Sequence, residues 1–301
     1  MDLKILETSS LKLHLKQYSL IFNGLFSTNY TPDFFLSKYS SGLNNSSIHS
    51  IAFDKKKIVG GFTIIPQYYK QSENQIILGL GCDAFVIPSY RSDEMLLYKL
   101  FKNLLPELRK KNVFGIISIP NPTAVKYWKL IAKWEIIDYL KIQVIPVNFK
   151  GIYTLSKMYI YSIYLLSKLL NKKEKDKQPT IRLDQSKEFL NNRYPDSIYK
   201  QHQGVYYREV EEGNILAAYV LGHSSLKSSD FLKLLISLMP KIKRSDFIMI
   251  GSNVNYFGFF TLSKRLIKRD FPVMYFGLDN SFTDLNANTN IEIDLSSFDN
   301  R

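Results

Sequence analysis

A closely spaced run of strand patterns over residues 47–87 most constrains what this chain can fold into. The pattern predicts three strands joined by two short turns, with strands over residues 47–53, 58–69 and 75–87 and turns over residues 54–57 and 71–74. Connections this short join antiparallel neighbours, so the segment predicts a β-meander. Pro88 and Ser89 then end the third strand.

The residues on either side of the meander extend it to one domain. Residues 17–40 are predicted to be helical, with an interruption where Thr31 caps a new helix that has Pro32 in its first turn. After the meander, the spacing of apolar residues predicts a helix, a buried strand, a second helix and a closing strand, over residues 92–111, 113–119, 122–133 and 135–147. The order predicts an α+β domain over residues 1–150.

The segment after this domain is an aromatic and aliphatic helix over residues 152–178, which ends in a Lys-rich stretch before Gln178 and Pro179. We interpret residues 151–180 as an interdomain helix and linker. An amphipathic helix that lies on a membrane surface between basic flanks is the alternative. Few polar residues lie around residues 160–166, which favours packing on protein.

The second half, residues 181–301, is predicted to form a further domain. Its patterns predict a helix, a hairpin, a helix, a strand, a helix and a strand, over residues 185–192, 204–221, 231–239, 247–251, 258–268 and 273–276. Hairpin, helix, strand, helix and strand also follow one another in the first half. The repeated order predicts a structural duplication, although the two sequences are not visibly repeated.

Charge and composition limit the possible partners. The chain has 301 residues and a net charge of +13, so its surface attracts nucleic acid, anionic lipid or a phosphorylated small molecule. It has no basic helix, zinc finger or aromatic RNA-binding motif, and we expect no nucleic-acid partner. A single cysteine, Cys82, and four scattered histidines predict no metal site and favour a reducing compartment. Without a signal peptide or an apolar stretch long enough to span a membrane, we expect a cytoplasmic protein with at most weak peripheral membrane association.

Two stretches resemble one family. The segment Gly81-Cys82-Asp83-Ala84-Phe85-Val86-Ile87-Pro88-Ser89-Tyr90-Arg91 is similar to the fourth strand and the start of the acyl-CoA loop in the GNAT superfamily of acyltransferases. Ile119-Pro120-Asn121, followed by Tyr127-Trp128 and Trp134, resembles the stretch before the last strands of that family. The resemblance covers about residues 15–150. It implies a mixed central sheet flanked by helices, duplicated as two lobes, as in GNAT-like proteins found with bacterial surface-polysaccharide genes.

The same resemblance implies a binding site for acetyl-CoA or another acyl-CoA. In the family, an Arg or Gln opens the motif Arg/Gln-x-x-Gly-x-Gly/Ala, and backbone N–H groups at a helix N-terminus hold the CoA pyrophosphate. Carried over to this chain, the implied binding residues are Phe85, Val86, Arg91, Ser92, Asp93, Glu94, Met95 and Asn121. The motif's two glycine positions are here Glu94 and Leu96. With Ser92 as N-cap, Asp93 and Glu94 would lie in the first helical turn and repel a pyrophosphate.

Three interpretations of this departure stay open. In the first, the loop still binds acyl-CoA, with Arg91 and either Lys99 or Lys102 pairing the phosphates. In the second, the donor is an acyl group on acyl carrier protein, which carries one phosphodiester instead of a pyrophosphate and would meet the basic surface. In the third, the protein is a catalytically silent binding or interaction protein.

The chemistry of acyl transfer from a thioester to an amine requires three groups, and the resemblance points to a candidate for each. The N–H of Phe85 or Val86 would polarise the carbonyl, Asp83 would accept the amine proton, and Tyr127 would protonate the sulfur. Each candidate also has a structural interpretation: Asp83 as a strand-end carboxylate bonded to a loop, Tyr127 as a core aromatic, and Asn121 as a helix cap. We expect an N-acyltransferase acting on a small amine, such as an amino sugar of a surface polysaccharide, with the fourth and fifth strands separating after Val86.

Overall fold

The structure is a computed structural model and describes residues 1–71, 74–170, 180–194, 199–223, 228–263, 270–278 and 290–293. The elements as far as residue 130 are β1 (Asp2–Glu7), α1 (Thr8–Leu11), α2 (Leu15–Phe26), α3 (Pro32–Tyr39), β2 (Ile48–Asp54), β3 (Lys57–Gln71), β4 (Asn74–Val86), α4 (Leu96–Lys110), β5 (Gly115–Ser118) and α5 (Pro122–Leu130). The later elements are β6 (Glu135–Pro146), α6 (Tyr153–Leu170), β7 (Thr180–Leu183), α7 (Lys187–Arg193), β8 (Lys200–His202), β9 (Val205–Glu212), β10 (Ile215–His223), α8 (Ser228–Leu238), β11 (Phe247–Ser252), β12 (Phe260–Thr261), β13 (Phe271–Gly277) and β14 (Asn290–Glu292).

The chain divides into two compact units. The first unit contains Met1–Ile137 and Val273–Asn288, and the second contains Asp138–Pro272 and Thr289–Arg301. The expected boundaries at residues 150 and 181 differ from this division in two respects. The helix α6, expected between the domains, belongs to the second unit, and each unit takes a strand from the other half of the sequence. In the first unit β13 pairs with β5, and in the second β6 pairs with β11.

The first unit contains the predicted meander. β1, β2, β3 and β4 pair in order and antiparallel, β5 lies parallel to β4, and β13 lies antiparallel to β5. A mixed sheet results because α4 connects β4 to β5 and returns the chain to the same end of the sheet. The predicted mixed sheet flanked by helices is confirmed.

Local signals explain where several elements begin. The Thr31 hydroxyl accepts a hydrogen bond from Phe34 N–H at 3.2 Å, so α3 begins as predicted, with Pro32 at a position where no N–H is needed. Lys55 and Lys56, both with positive φ, form the two-residue turn between β2 and β3.

The core of the first unit lies between the sheet and the helices α4 and α5. Six apolar residues of α4 are buried and pack with two tryptophans from the α5 region; the set is Leu96, Leu100, Phe101, Leu104, Leu105, Leu108, Trp128 and Trp134. Met95, which also belonged to the predicted helical spacing, lies before α4 and is 41% exposed. The ring of Trp128 lies 5.1 Å from that of Phe62 and 5.2 Å from that of Trp134. These aromatic rings therefore form part of the apolar contact between α4, α5 and the sheet.

The second unit repeats the arrangement of the first. β8, β9 and β10 pair in order and antiparallel, α8 connects β10 to β11, and β11 lies parallel to β10 and antiparallel to β6. Its core contains α6 and α8, through Ile160, Ile163, Phe231, Leu232 and Leu235, against the sheet.

One predicted helix is corrected, and another is confirmed over the part that the structure describes. The helix predicted over residues 258–268 is absent from its described part, where β12 pairs with Val144 and Gln143 of β6; the remaining residues 264–268 lie outside the described ranges. The aromatic residues there fit a helix or a strand, and only the pairing with β6 decides between them. The helix predicted over residues 152–178 is described as α6, and residues 171–178 lie outside the described ranges.

Candidate functional site

The fourth and fifth strands of the first unit separate before β4 ends. The ladder between them joins Leu78–Leu80 to Gly115–Ile117, and the Ser118 hydroxyl then donates to the Gly81 carbonyl at 2.8 Å. β4 continues to Val86. The separation was expected after Val86 and begins six residues earlier, because the ladder with β5 ends at Leu80 and Ile117.

Beyond this separation β4 carries a β-bulge. Cys82 lies opposite Thr63 and Phe85 lies opposite Gly61, so β4 advances three residues while β3 advances two. Asp83 has a φ of +51°, the left-handed conformation that occurs in one class of β-bulge. Gly61 is needed opposite the bulge, because a Cβ there would lie 2.9 Å from the Phe85 ring. The bulge redirects the last residues of β4, which are the residues that the sequence singled out.

The carboxylate of Asp83 is buried against α3. Lys38 Nζ lies 2.6 Å from Asp83 Oδ2, and the Tyr39 hydroxyl donates to the same oxygen at 2.7 Å. The exposed fraction of the side chain is 5% for Lys38 and 0% for Asp83. A buried carboxylate is stable only with such partners, so this pair holds the bulge residue against α3.

Further polar side chains continue from this pair into the interior. The Tyr18 hydroxyl lies 2.9 Å from that of Tyr39, and burial, reinforced by the charge of Asp83, raises the pKa of both phenols well above the usual value. His49 Nδ1 lies 2.9 Å from Thr63 Oγ1, and burial, together with the charge of Lys38, lowers the pKa of His49 to about 3. We call the residues Tyr18, Lys38, Tyr39, His49 and Asp83 the Asp83 cluster.

Tyr18, Lys38, Tyr39 and His49 were not predicted to belong to a site, although one signal in the sequence was present. Phe35, Lys38 and Tyr39 share the buried face of α3 at helical spacing. A lysine in an apolar stripe needs an anionic partner, which on its own predicts a buried carboxylate nearby.

The loop between β4 and α4 differs from the prediction at the start of the helix. α4 begins at Leu96, not near Ser92, and has no acidic residue in its first turn. The reason is a series of tight turns in which Asp93 N–H donates to the Tyr90 carbonyl and Leu96 N–H to the Asp93 carbonyl. Ser92 is therefore exposed in a turn and does not cap α4, and the exposed side chain of Glu94 lies outside the helix.

Asp93 supplies an anion directly before α4. Its Oδ1 accepts a hydrogen bond from Met95 N–H at 3.1 Å, and Lys99 Nζ donates to its Oδ2 at 2.8 Å. The hydrogen bond from Lys99 is the main reason that the pKa of Asp93 is lowered. One of the amides and one of the lysines expected to bind a phosphate are thus bonded to a side chain of the protein.

Arg91 and Tyr127 both contact this region. Arg91 Nε donates to the Val86 carbonyl at 3.0 Å, which ties the loop to the end of β4. The hydroxyl of Tyr127, on α5, donates to the Glu94 carbonyl at 3.1 Å, and burial raises its pKa. Asn121 caps α5 by accepting from Ala124 N–H at 2.8 Å.

The catalytic candidates Asp83 and Tyr127 lie on opposite sides of the sheet. Asp83 and Phe85 face α2 and α3, where the Phe85 ring lies 5.3 Å from that of Tyr18. Val86 packs with the core on the side of α4 and α5, to which Tyr127 also belongs. The structure thus brings Tyr127 to the loop of Arg91–Met95 and places the Asp83 carboxylate on the opposite face.

Comparison with solved structures identifies the fold. A GCN5-related N-acetyltransferase from Anabaena variabilis ATCC 29413 has a TM-score of 0.57 and 11% identity, over 92% of this chain and 73% of the other. A conserved protein from Enterococcus faecalis V583 has a TM-score of 0.55 and 12% identity, over 92% of this chain and 73% of its own. A GCN5-related N-acetyltransferase from Kribbella flavida has a TM-score of 0.55 and 10% identity, over 91% of this chain and 70% of its own.

The chain has the GNAT fold. At these identities the likeness concerns the fold alone. No protein-family model matches the sequence, and neither does any curated protein.

Two further observations concern membrane-spanning helices and metal sites. Within the described ranges, no helix is long and apolar enough to cross a membrane. The same residues contain no group of three or more His, Cys, Asp or Glu side chains that could hold a metal ion.

Proposed function

We propose that this protein is a GNAT-type N-acyltransferase that transfers an acyl group from acyl-CoA to a small amine at the first unit. The observation that carries the proposal is the opening between β4 and β5 after Leu80, with the bulge at Asp83 directly beyond it. Beyond such an opening, backbone N–H and C=O groups of β4 can bind a thioester instead of pairing with β5. This supports the role that the family resemblance gives to the end of β4.

The proposed reaction uses groups on β4 and α5. The amine nitrogen attacks the thioester carbonyl carbon, and the N–H of Phe85 or Val86 stabilises the negative charge on the oxygen. The C–S bond then breaks, and the sulfur takes a proton from the Tyr127 hydroxyl. Its raised pKa keeps Tyr127 protonated at neutral pH, as an acid must be. The amine loses its own proton to a base.

Asp83 as that base stays a prediction. Its oxygen already accepts from Lys38 and Tyr39, and its side chain faces α3. The contacts favour a second role, in which the Lys38–Asp83 pair holds the bulge and so positions the N–H groups of Phe85 and Val86. In that case Lys38 and Asp83 are positioning residues.

The donor-binding loop has charges of both signs. Arg91 and Lys99 offer positive charge to a phosphate, whereas the Asp93 carboxylate opposes it at the start of α4. This opposition favours two alternatives: an acyl carrier protein as donor, whose single phosphodiester needs fewer cations, and a binding protein without catalysis. The chain's charge of +13 suits an acidic carrier.

The acceptor and the second unit complete the proposal. The resemblance supports an amino sugar of a surface polysaccharide as the amine, in the cytoplasm. We propose that residues 181–301 contain much of a degenerate GNAT-like domain, because β10 also bulges, between Val220 and Gly222, just beyond its ladder with β11.

Calorimetry tests donor binding directly. The full chain is titrated with acetyl-CoA, longer acyl-CoAs and an acylated carrier protein, and then assayed for thiol release with a panel of amino sugars. Binding of a thioester followed by amine-dependent thiol release is the expected result. Binding without release with any amine would favour the silent protein, and no binding of any donor would refute the enzyme.

A further inference from the structure

The helix α6 of the second unit has apolar residues on both its inner and its outer face. Its buried residues are Ser156, Ile160, Ile163 and Ser167, which recur at helical spacing on one face, and the two isoleucines join the core of the unit. All five leucines of α6 and Met158 instead lie on the outside. A globular surface helix normally has the opposite arrangement, with its large apolar side chains turned inward.

The outer face of α6 is an apolar strip interrupted by Ser162, whose hydroxyl donates to the Met158 carbonyl at 3.0 Å. It is formed by side chains that are each about half or more exposed: Leu155 64%, Met158 62%, Tyr161 53%, Leu165 48%, Leu166 50%, Leu169 69% and Leu170 51%. From Leu155 to Leu170 the strip is about 22 Å long at the rise of an α-helix. Exposed apolar surface of this extent is rare on a monomeric soluble protein and marks an interaction site. We call these seven residues the α6 strip.

Positive charge lies along one edge of the α6 strip. Lys157 and Lys168 are exposed and, being eleven residues apart, project from the same side of the helix. Lys168 Nζ lies 4.8 Å from the centre of the Tyr164 ring, and Lys243 Nζ lies 5.5 Å from that of Tyr153 at the start of the helix. α6 itself contains no acidic residue.

We propose that the α6 strip docks on the surface of a lipid bilayer that contains anionic headgroups. The helix would lie in the plane of the interface, with the strip among the acyl chains and the three lysines at the level of the headgroups. Tyr161 belongs at this boundary, because a phenol ring is apolar with a polar tip.

The charges favour a bilayer over a second copy of this chain. Two copies joined through the α6 strip would bring the lysine edges together on molecules that each carry +13. An anionic surface instead attracts every one of these charges. The sequence beyond the helix adds Lys172, Lys173, Lys175 and Lys177 against Glu174 and Asp176, so the local excess stays positive.

Vesicle co-sedimentation of the full chain tests the proposal. We expect binding to phosphatidylcholine vesicles that contain about a third phosphatidylglycerol, weak binding to phosphatidylcholine alone, and release by salt. The triple variant Met158→Gln/Leu165→Gln/Leu166→Gln should lose binding while it keeps its circular dichroism spectrum, since these side chains are exposed. Leu20→Gln, at a leucine of the first unit that is 67% exposed, is the matched control and should bind like the unchanged protein.

The lysines provide an independent readout. Near an anionic membrane each lysine contributes about 1 kcal/mol, or roughly fivefold in affinity, so Lys157→Gln/Lys168→Gln should weaken binding about twentyfold to thirtyfold. The proposal is overturned if neither vesicle binds, or if the triple variant binds as well as the Leu20→Gln control. It is also overturned if sedimentation velocity shows a dimer that the triple variant abolishes, without vesicle binding, since the strip would then cover a second copy.

Discussion

Removing one partner of the buried pair Lys38–Asp83 should destabilise the first unit strongly. In Lys38→Met the Asp83 carboxylate loses its ammonium partner in a site where its side chain is fully buried. Breaking a buried ion pair by removing one member costs about 3–5 kcal/mol. Asp83→Asn should cost a comparable amount by removing the carboxylate that pairs with Lys38, while asparagine still tolerates the left-handed conformation at +51°.

The double variant Lys38→Met/Asp83→Asn isolates the interaction. Because it leaves no unpaired buried charge, we expect it to be more stable than either single variant, with a coupling energy of about 2 kcal/mol or more. Comparison of Asp83→Ala with Asp83→Asn then measures the backbone contribution, since alanine in the left-handed region costs about 1–2 kcal/mol.

The assay follows from the position of the tryptophans. The chain has two, Trp128 and Trp134, and both are buried in the core of the first unit. Tryptophan fluorescence during urea unfolding therefore reports this unit, whereas circular dichroism reports both. If each single variant costs less than about 1 kcal/mol, or if the double variant costs the sum of the two, the reasoning about a buried and mutually dependent pair is refuted.

Three further predictions concern the donor loop, the proposed acid and the buried histidine. Asp93→Asn should tighten acyl-CoA binding more than Glu94→Gln, because the Asp93 carboxylate bonds Met95 N–H and Lys99 before α4. Equal effects of the two substitutions in calorimetry would show that the loop is not the phosphate site. Tyr127→Phe should lower kcat by roughly a hundredfold or more with little change in KM, as for loss of a general acid, and should remove any alkaline limb from the pH–rate profile; an unchanged kcat would exclude this role. The pKa of His49 is lowered from 6.5 to about 3 in the folded state, so its contribution to stability is fully present above pH 6.5 and is lost as the pH falls toward 3. Urea unfolding followed by tryptophan fluorescence should lose about 3 kcal/mol from this group between pH 6.5 and 4, and His49→Gln should remove that part of the pH dependence; a variant with the same pH profile would contradict the assignment.

Local sequence predicted part of the candidate site. Arg91, Asp93 and Tyr127 were singled out by motif position, and the structure does bring Tyr127 and the Arg91–Met95 loop together. The predicted start of the helix at Ser92 was wrong. Asp93, three residues before Leu96, accepts a hydrogen bond from Met95 N–H, and α4 begins only at Leu96. Capping patterns identify that a helix begins nearby, but the competing turns decide at which residue.

Local sequence patterns alone predict one set of elements. The meander, the buried face of α4 and the caps at Thr31 and Asn121 all follow from contacts within a few residues. The tertiary structure alone decided the long-range partners: β13 beside β5, β6 beside β11, and Lys38 on Asp83, 45 positions further along the chain. It also decided that α6 packs on protein through Ile160 and Ile163, as expected, while its five leucines point outward. Periodicity shows that a face is apolar, but which face becomes buried depends on what the rest of the chain places against it.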